Sequence, residues 1–160
     1  MVLSMIAPVM AATAAVVIQP TSYDVRGIAL GSSLEAFQAA KPGVTCSSDA
    51  LGRTTCSEMN EATGFAGANV FSYYFTPTGF LYKIDLLIDR SNISAVTDSL
   101  TSRWGSPARR SGTTFHWSRN GQTIRYETLC VRGTMCVAYE DTRRAAEMRE
   151  LERQRNRNAL

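Results

Sequence analysis

Histidine occurs once in this 160-residue chain, at His116, and lysine twice, at Lys41 and Lys83. A serine or cysteine nucleophile needs a base beside it, so one imidazole leaves a single place for that chemistry. No G-x-S-x-G turn is present to carry a serine. Phosphate-cradling glycine loops, EF-hand loops and dinucleotide fingerprints are equally missing. Charge of one sign is scarce too: 17 basic and 14 acidic side chains leave +3. That balance gives no reason to expect nucleic acid or an anionic membrane as partner. Asp85 and Asp89 share a strand face but stand roughly 13 Å apart at strand rise, too far for a glycosidase pair.

What is present is an ordinary globular composition, 44% hydrophobic and 9% aromatic, enough for one domain with a true core. Three segments follow from the patterning: 1–14, a signal-like leader; 15–140, the folded domain; and 141–160, a charged helix or tail. Residues 1–18 carry no charged side chain, and an apolar stretch there ends in Ala12-Thr13-Ala14. Signal peptidase reads such an Ala-x-Ala site, which would place a mature start near Ala15. A positively charged n-region is missing. The competing readings are a membrane anchor, at the short limit for a span, and a buried helix, which Pro8 would interrupt. The first cysteine is Cys46, so no lipid-accepting cysteine follows the leader.

The four cysteines, Cys46, Cys56, Cys130 and Cys136, are expected as disulfides in an exported chain, with three connectivities open. Spacing favours Cys46–Cys56 around a polar loop and Cys130–Cys136 across a hairpin tip turning at Arg132-Gly133-Thr134. Neither spacing suits zinc, so no metal and no cofactor is expected. Export and oxidation together imply a periplasmic or secreted location.

Along the domain, residues 23–30 read as a short strand, and a helix starts at Ser32 with Glu35 completing a capping box. Runs 69–75 and 80–88 read as a hairpin. In the second, Phe80, Tyr82, Ile84, Leu86 and Ile88 form one apolar face against the mixed face of Leu81, Lys83, Asp85, Leu87 and Asp89. Ile93, Val96, Leu100 and Trp104 make an amphipathic stripe, closed by Gly105 and Pro107. Asn120-Gly121 is the preferred pair for a type I′ turn. Counting outward, Trp117 faces Ile124 and Phe115 faces Tyr126, while His116 faces Arg125 and Thr114 faces Glu127 on the polar face. Residues 134–139 add one more strand. From Asp141 on, the pairs Asp141/Arg144, Arg149/Glu152 and Glu152/Arg155 have helical ion-pair spacing, as expected of a solvated helix frayed beyond about Arg153. The fold expected is α+β: an antiparallel sheet of about five strands on short helices, whose order suggests two degenerate helix-plus-strands copies.

The segment Gly27-Ile28-x-Leu30-Gly31-x-Ser33 entering a helix resembles the opening of BamE-like and β-lactamase-inhibitor-like (BLIP-like) domains. Val96…Leu100…Trp104-Gly105-Ser106-Pro107, followed by Phe115-His116-Trp117 and a glycine-turn hairpin, is similar to their core. The likeness spans residues 26–128. It implies a small envelope binding module without catalytic residues, here without a lipid-anchoring cysteine. The expected function is therefore protein binding or envelope assembly. An envelope or secreted protein would be the partner, and no membrane span would remain after processing. The exposed sheet face with His116, Arg125, Glu127 and Thr114 is the candidate surface. The alternative is a small secreted hydrolase, or an accessory enzyme subunit, with His116 as base. The sequence sets no oligomeric state.

Overall fold

The computed structural model describes residues 22–59, 68–131 and 134–158; the leader reading for 1–14 lies outside them. Among the described residues, ten strands and three α-helices follow one another. They are β1 (Asp24–Val25), β2 (Ile28–Ala29), α1 (Leu34–Ala40), β3 (Thr45–Ser48), β4 (Thr54–Met59), β5 (Ala68–Phe75) and β6 (Leu81–Asp89). Then come α2 (Ile93–Trp104), β7 (Arg109–Ser111), β8 (Thr114–Arg119), β9 (Gln122–Glu127), β10 (Thr134–Asp141) and α3 (Thr142–Asn158). Strands β1 and β2 pair as a small hairpin, and the other eight form one antiparallel sheet in the order β3-β4-β5-β6-β10-β9-β8-β7.

This corrects the expected five-stranded α+β fold. The protein is mostly antiparallel β, with eight strands in its main sheet. The strands missed by sequence reading are β3, β4 and β7, of sequence TCSS, TTCSEM and RRS. They lie at or beside the two sheet edges, where polar side chains are kept and apolar alternation is weak. The 23–30 strand is two short strands around Arg26 and Gly27, both with positive φ.

One face of the sheet holds the main core. Phe71, Tyr73, Phe75, Ile84, Leu86, Ile88, Trp117, Ile124, Tyr126, Val137 and Tyr139 pack there with Phe37 of α1 and Val96, Leu100 and Trp104 of α2. The stripe read from the sequence is thus the buried side of α2. Gly105 ends that helix at φ 81°, and its carbonyl accepts the Trp117 indole N–H at 2.7 Å. For α1 the capping residue is Ser33, not Ser32; its hydroxyl accepts the Ala36 N–H at 3.1 Å.

The opposite, outer face is covered in part by α3. Ala145 and Met148 bury against Tyr82 and the partly buried Tyr74. Tyr82 has to reverse face to do this. In the β5–β6 ladder Tyr74 faces Lys83 and Phe75 faces Leu81, leaving Tyr82 as the extra residue of a bulge. The simple alternation expected for 80–88 therefore fails at its start: Leu81 joins the core, and Phe80 is exposed. Helix α3 continues to Asn158 rather than fraying at Arg153. Two of the pairs expected from spacing, Arg149/Glu152 and Glu152/Arg155, are replaced by others. Glu152 holds Arg53 at the β3–β4 tip, and Arg149 reaches Glu140 on β10. Asp141 does pair with Arg144.

Both disulfides join the expected partners, Cys46–Cys56 and Cys130–Cys136. The first links directly opposed residues of β3 and β4. The second differs from the expected hairpin register, because Cys136 faces Glu127 in the ladder. Cys130 instead precedes the turn, donating its N–H to the Thr134 carbonyl at 3.0 Å. Of the predicted turn residues, Arg132 and Gly133 lie outside the described residues.

Candidate functional site

The β8–β9 register is the one counted from Asn120-Gly121. His116 faces Arg125 and Thr114 faces Glu127, with Trp117, Ile124 and Tyr126 directed into the core. Strand alternation makes this placement automatic once the turn is fixed. The four polar candidates therefore share the outer face. The row through His116 continues in both directions, to Arg109 on β7, and through Arg125 to Ala138 on β10, Asp85 on β6, Ser72 on β5 and Ser57 on β4. It is basic at the β7 edge, then acidic and hydroxyl-bearing towards β4.

Two hollows open on this face. One, of about 290 Å³, is floored by Val70, Leu87, Ala138 and the Cys130–Cys136 disulfide, with Lys83, Asp85, Arg125 and Glu127 at its rim. The other, of about 420 Å³, lies between β8–β10 and α3 and is lined by Lys83, His116, Thr123, Arg125, Glu140 and Arg149. Lys83, Arg125 and Ala138 border both, so the hollows form one shallow groove along β10.

Its charged groups are paired within the protein. Lys83 meets Asp85 at 2.6 Å, Arg125 meets Glu127 at 3.1 Å, and Arg149 meets Glu140 at 3.5 Å. Arg125 and Arg149 are more than half exposed, so each pair adds little to stability. The Lys83 ammonium also lies 5.0 Å from the Tyr74 ring centre. Burial pushes up the phenols of Tyr74 and Tyr82, which pack beneath α3; at Tyr74 the Asp85 carboxylate adds to the effect.

His116 sits half-buried between two arginines on the neighbouring strands. Its imidazole has no hydrogen-bond or ion-pair partner among the described residues. Glu127, diagonal to it, is engaged by Arg125 instead. A general base needs an orienting group, and the arrangement supplies cations in its place. Among the described residues no cluster of three or more His, Cys, Asp or Glu could hold a metal ion.

Lys83, Asp85 and Leu87 were legible as the mixed face of β6. Glu140 and Arg149 were not. Glu140 closes the stretch read as the folded domain, one residue past the expected strand, and Arg149 belongs to the stretch read as a charged tail, so only the docking of α3 brings Arg149 to the groove. Among the described residues no helix is long and apolar enough to cross a membrane. No family model matches the chain, and no curated protein or solved structure matches it.

Proposed function

We propose that this chain is a periplasmic or secreted protein-binding or envelope assembly-type module without catalytic activity. It acts through the outer face of its sheet. The observation that carries the reading is the groove along β10: an apolar floor, rimmed by charge pairs, on a sheet held by two disulfides. Interfaces are built in this way, from a small dry centre and a polar rim. A disulfide-stapled sheet also presents such a surface with little ordering cost on binding. The surroundings of His116 support binding over hydrolysis, because its ladder neighbours are Arg109 and Arg125. The resemblance of the α2–β8 segment to BamE-like and β-lactamase-inhibitor-like domains points in the same direction.

The test is site-specific photocrosslinking in the native envelope, with the reactive residue placed in the groove at Thr123 or on α2 at exposed Asp98. Adducts with a discrete protein from Thr123 and none from Asp98 are expected. His116→Ala should keep the fold and weaken the adduct only modestly, as truncating a rim contact does. Hydrolase activity in the wild type that falls by about 10²-fold in His116→Ala would replace this reading with an enzymatic one.

A further inference from the structure

The two ends of the groove differ in chemistry, and that difference specifies what fits. The first hollow is floored by aliphatic carbon and a disulfide, and its carboxylates are Asp85 and Glu127. The second shares Lys83 and Arg125 with the first, where they pair with Asp85 and Glu127, and adds Arg149, Glu140 and His116, so that among its own lining residues cations outnumber carboxylates. Behind His116 stands Arg109, exposed and without an ion pair among the described residues. We propose that the groove seats an extended segment of a partner protein carrying an apolar side chain and a carboxylate about three or four residues apart. The apolar group enters the disulfide-floored hollow, and the carboxylate meets Arg125 and Arg149.

This rests on the protein-binding reading and names the chemistry of its partner. The spacing comes from β10. Its outer-face residues Cys136 and Glu140 belong one to each hollow, and four residues of strand span roughly 13 Å. An extended chain lying along β10 repeats the same rise, so its side chains reach both hollows at that interval. Arg125 and Arg149 can take a further acceptor readily. Each is more than half exposed and holds its own carboxylate at 3.1 and 3.5 Å, while a guanidinium has five N–H donors. The occupant is not a continuous polyanion, since Asp85 and Glu127 would repel it at the other end. One acid, placed at the α3 end, matches the pattern.

The experiment is selection from a displayed random-peptide library on the purified, oxidised protein and on the double variant R125E/R149E. Circular dichroism and disulfide mapping confirm that the variant is folded. Peptides enriched on the wild type should carry the apolar–acidic spacing and lose about tenfold or more in recovery on the variant. The variant should select a basic residue in place of the acid. The same enriched motif on both proteins, or no enrichment, overturns the inference. Displacement of the peptides by millimolar inorganic phosphate alone would assign the cationic hollow to a free anion and overturn it too. A groove adduct of twice the chain mass would do so in favour of a second copy. The Thr123 crosslink separates the two claims. An adduct that persists in R125E/R149E leaves the binding reading standing and removes the acidic partner, whereas no adduct from the wild type removes both.

Discussion

Trp104→Ala perturbs the place where α2, the N-terminal hairpin and the sheet meet. The Trp104 ring is 4% exposed and completes the buried stripe begun by Val96 and Leu100. Tyr23 packs edge-on against it at 4.8 Å, and Tyr23 in turn lies 6.5 Å from Tyr139 on β10. The Arg103 guanidinium covers the ring at 5.0 Å while making a two-point contact with Asp24. Truncation removes the indole and leaves a void that rigid neighbours on three elements cannot fill, a cost of about 3 to 5 kcal/mol. For a chain of this size each kcal/mol moves the midpoint by about 2 to 4 °C, so Tm should fall by about 6 to 20 °C. Thermal unfolding followed by far-ultraviolet circular dichroism measures it, with both disulfides verified intact. Trp104→Phe keeps a ring against Tyr23 and should recover most of the loss. A Tm for Trp104→Ala within 2 °C or so of wild type would refute the reasoning, because no well-packed core tryptophan is deleted that cheaply.

Three further outcomes are expected. Non-reducing peptide mapping should find Cys46 joined to Cys56 and Cys130 to Cys136, and reduction should remove roughly 2 to 3 kcal/mol for each short loop; free thiols throughout would contradict both the fold and an oxidising location. Burial raises all six phenols above their ordinary value of 10.0: Tyr23, Tyr73, Tyr74, Tyr82, Tyr126 and Tyr139. The folded protein therefore keeps protons that the unfolded chain releases, and its stability, complete below pH 10, declines as pH rises further. Tyrosinate absorbance should lag behind that of the denatured protein and appear together with unfolding; independent titration near pH 10 would contradict the burial. Arg53→Ala cuts the link from Asp49 and the β3–β4 tip to Glu152, so amide exchange should quicken in 142–158 and stay slow in β5, β6 and β10. Uniform protection would show that Ala145 and Met148 alone hold α3.

The elements legible in the sequence were those in which one physical signal dominates. Asn120-Gly121 sets a turn, the turn sets the register, and the register places His116 opposite Arg125 and Thr114 opposite Glu127. The stripe through Val96, Leu100 and Trp104 needed only helical spacing. Strands β3, β4 and β7 escaped because their stabilisation comes from a neighbouring strand rather than from an apolar face of their own. The threonines at 54 and 55 beside Cys56, opposite Cys46, were a usable signal, since β-branched residues favour strands. Tyr82 escaped for a different reason: a bulge changes which face a residue occupies without altering the sequence alternation. The groove needed a fact no local pattern contains. Arg149 and Glu152 have good partners within their own helix by spacing, yet they meet Glu140 and Arg53 once α3 lies on the sheet.

In the eight-stranded sheet every neighbouring pair is consecutive in the chain except one, β6 against β10. That junction brings Asp89 to Thr134 and Lys83 to Glu140, and the residues between them form a closed loop through α2 and the whole second meander. Local hairpins close quickly, whereas a loop of this length costs more entropy before its contacts form. The β6–β10 ladder thus carries the largest loop-closure cost in the sheet and joins two four-stranded halves. Neither disulfide crosses it: 46–56 lies in the first half and 130–136 in the second. Each cystine therefore constrains one half alone, and the joining of the halves is left to the hydrogen-bonded ladder and the shared core.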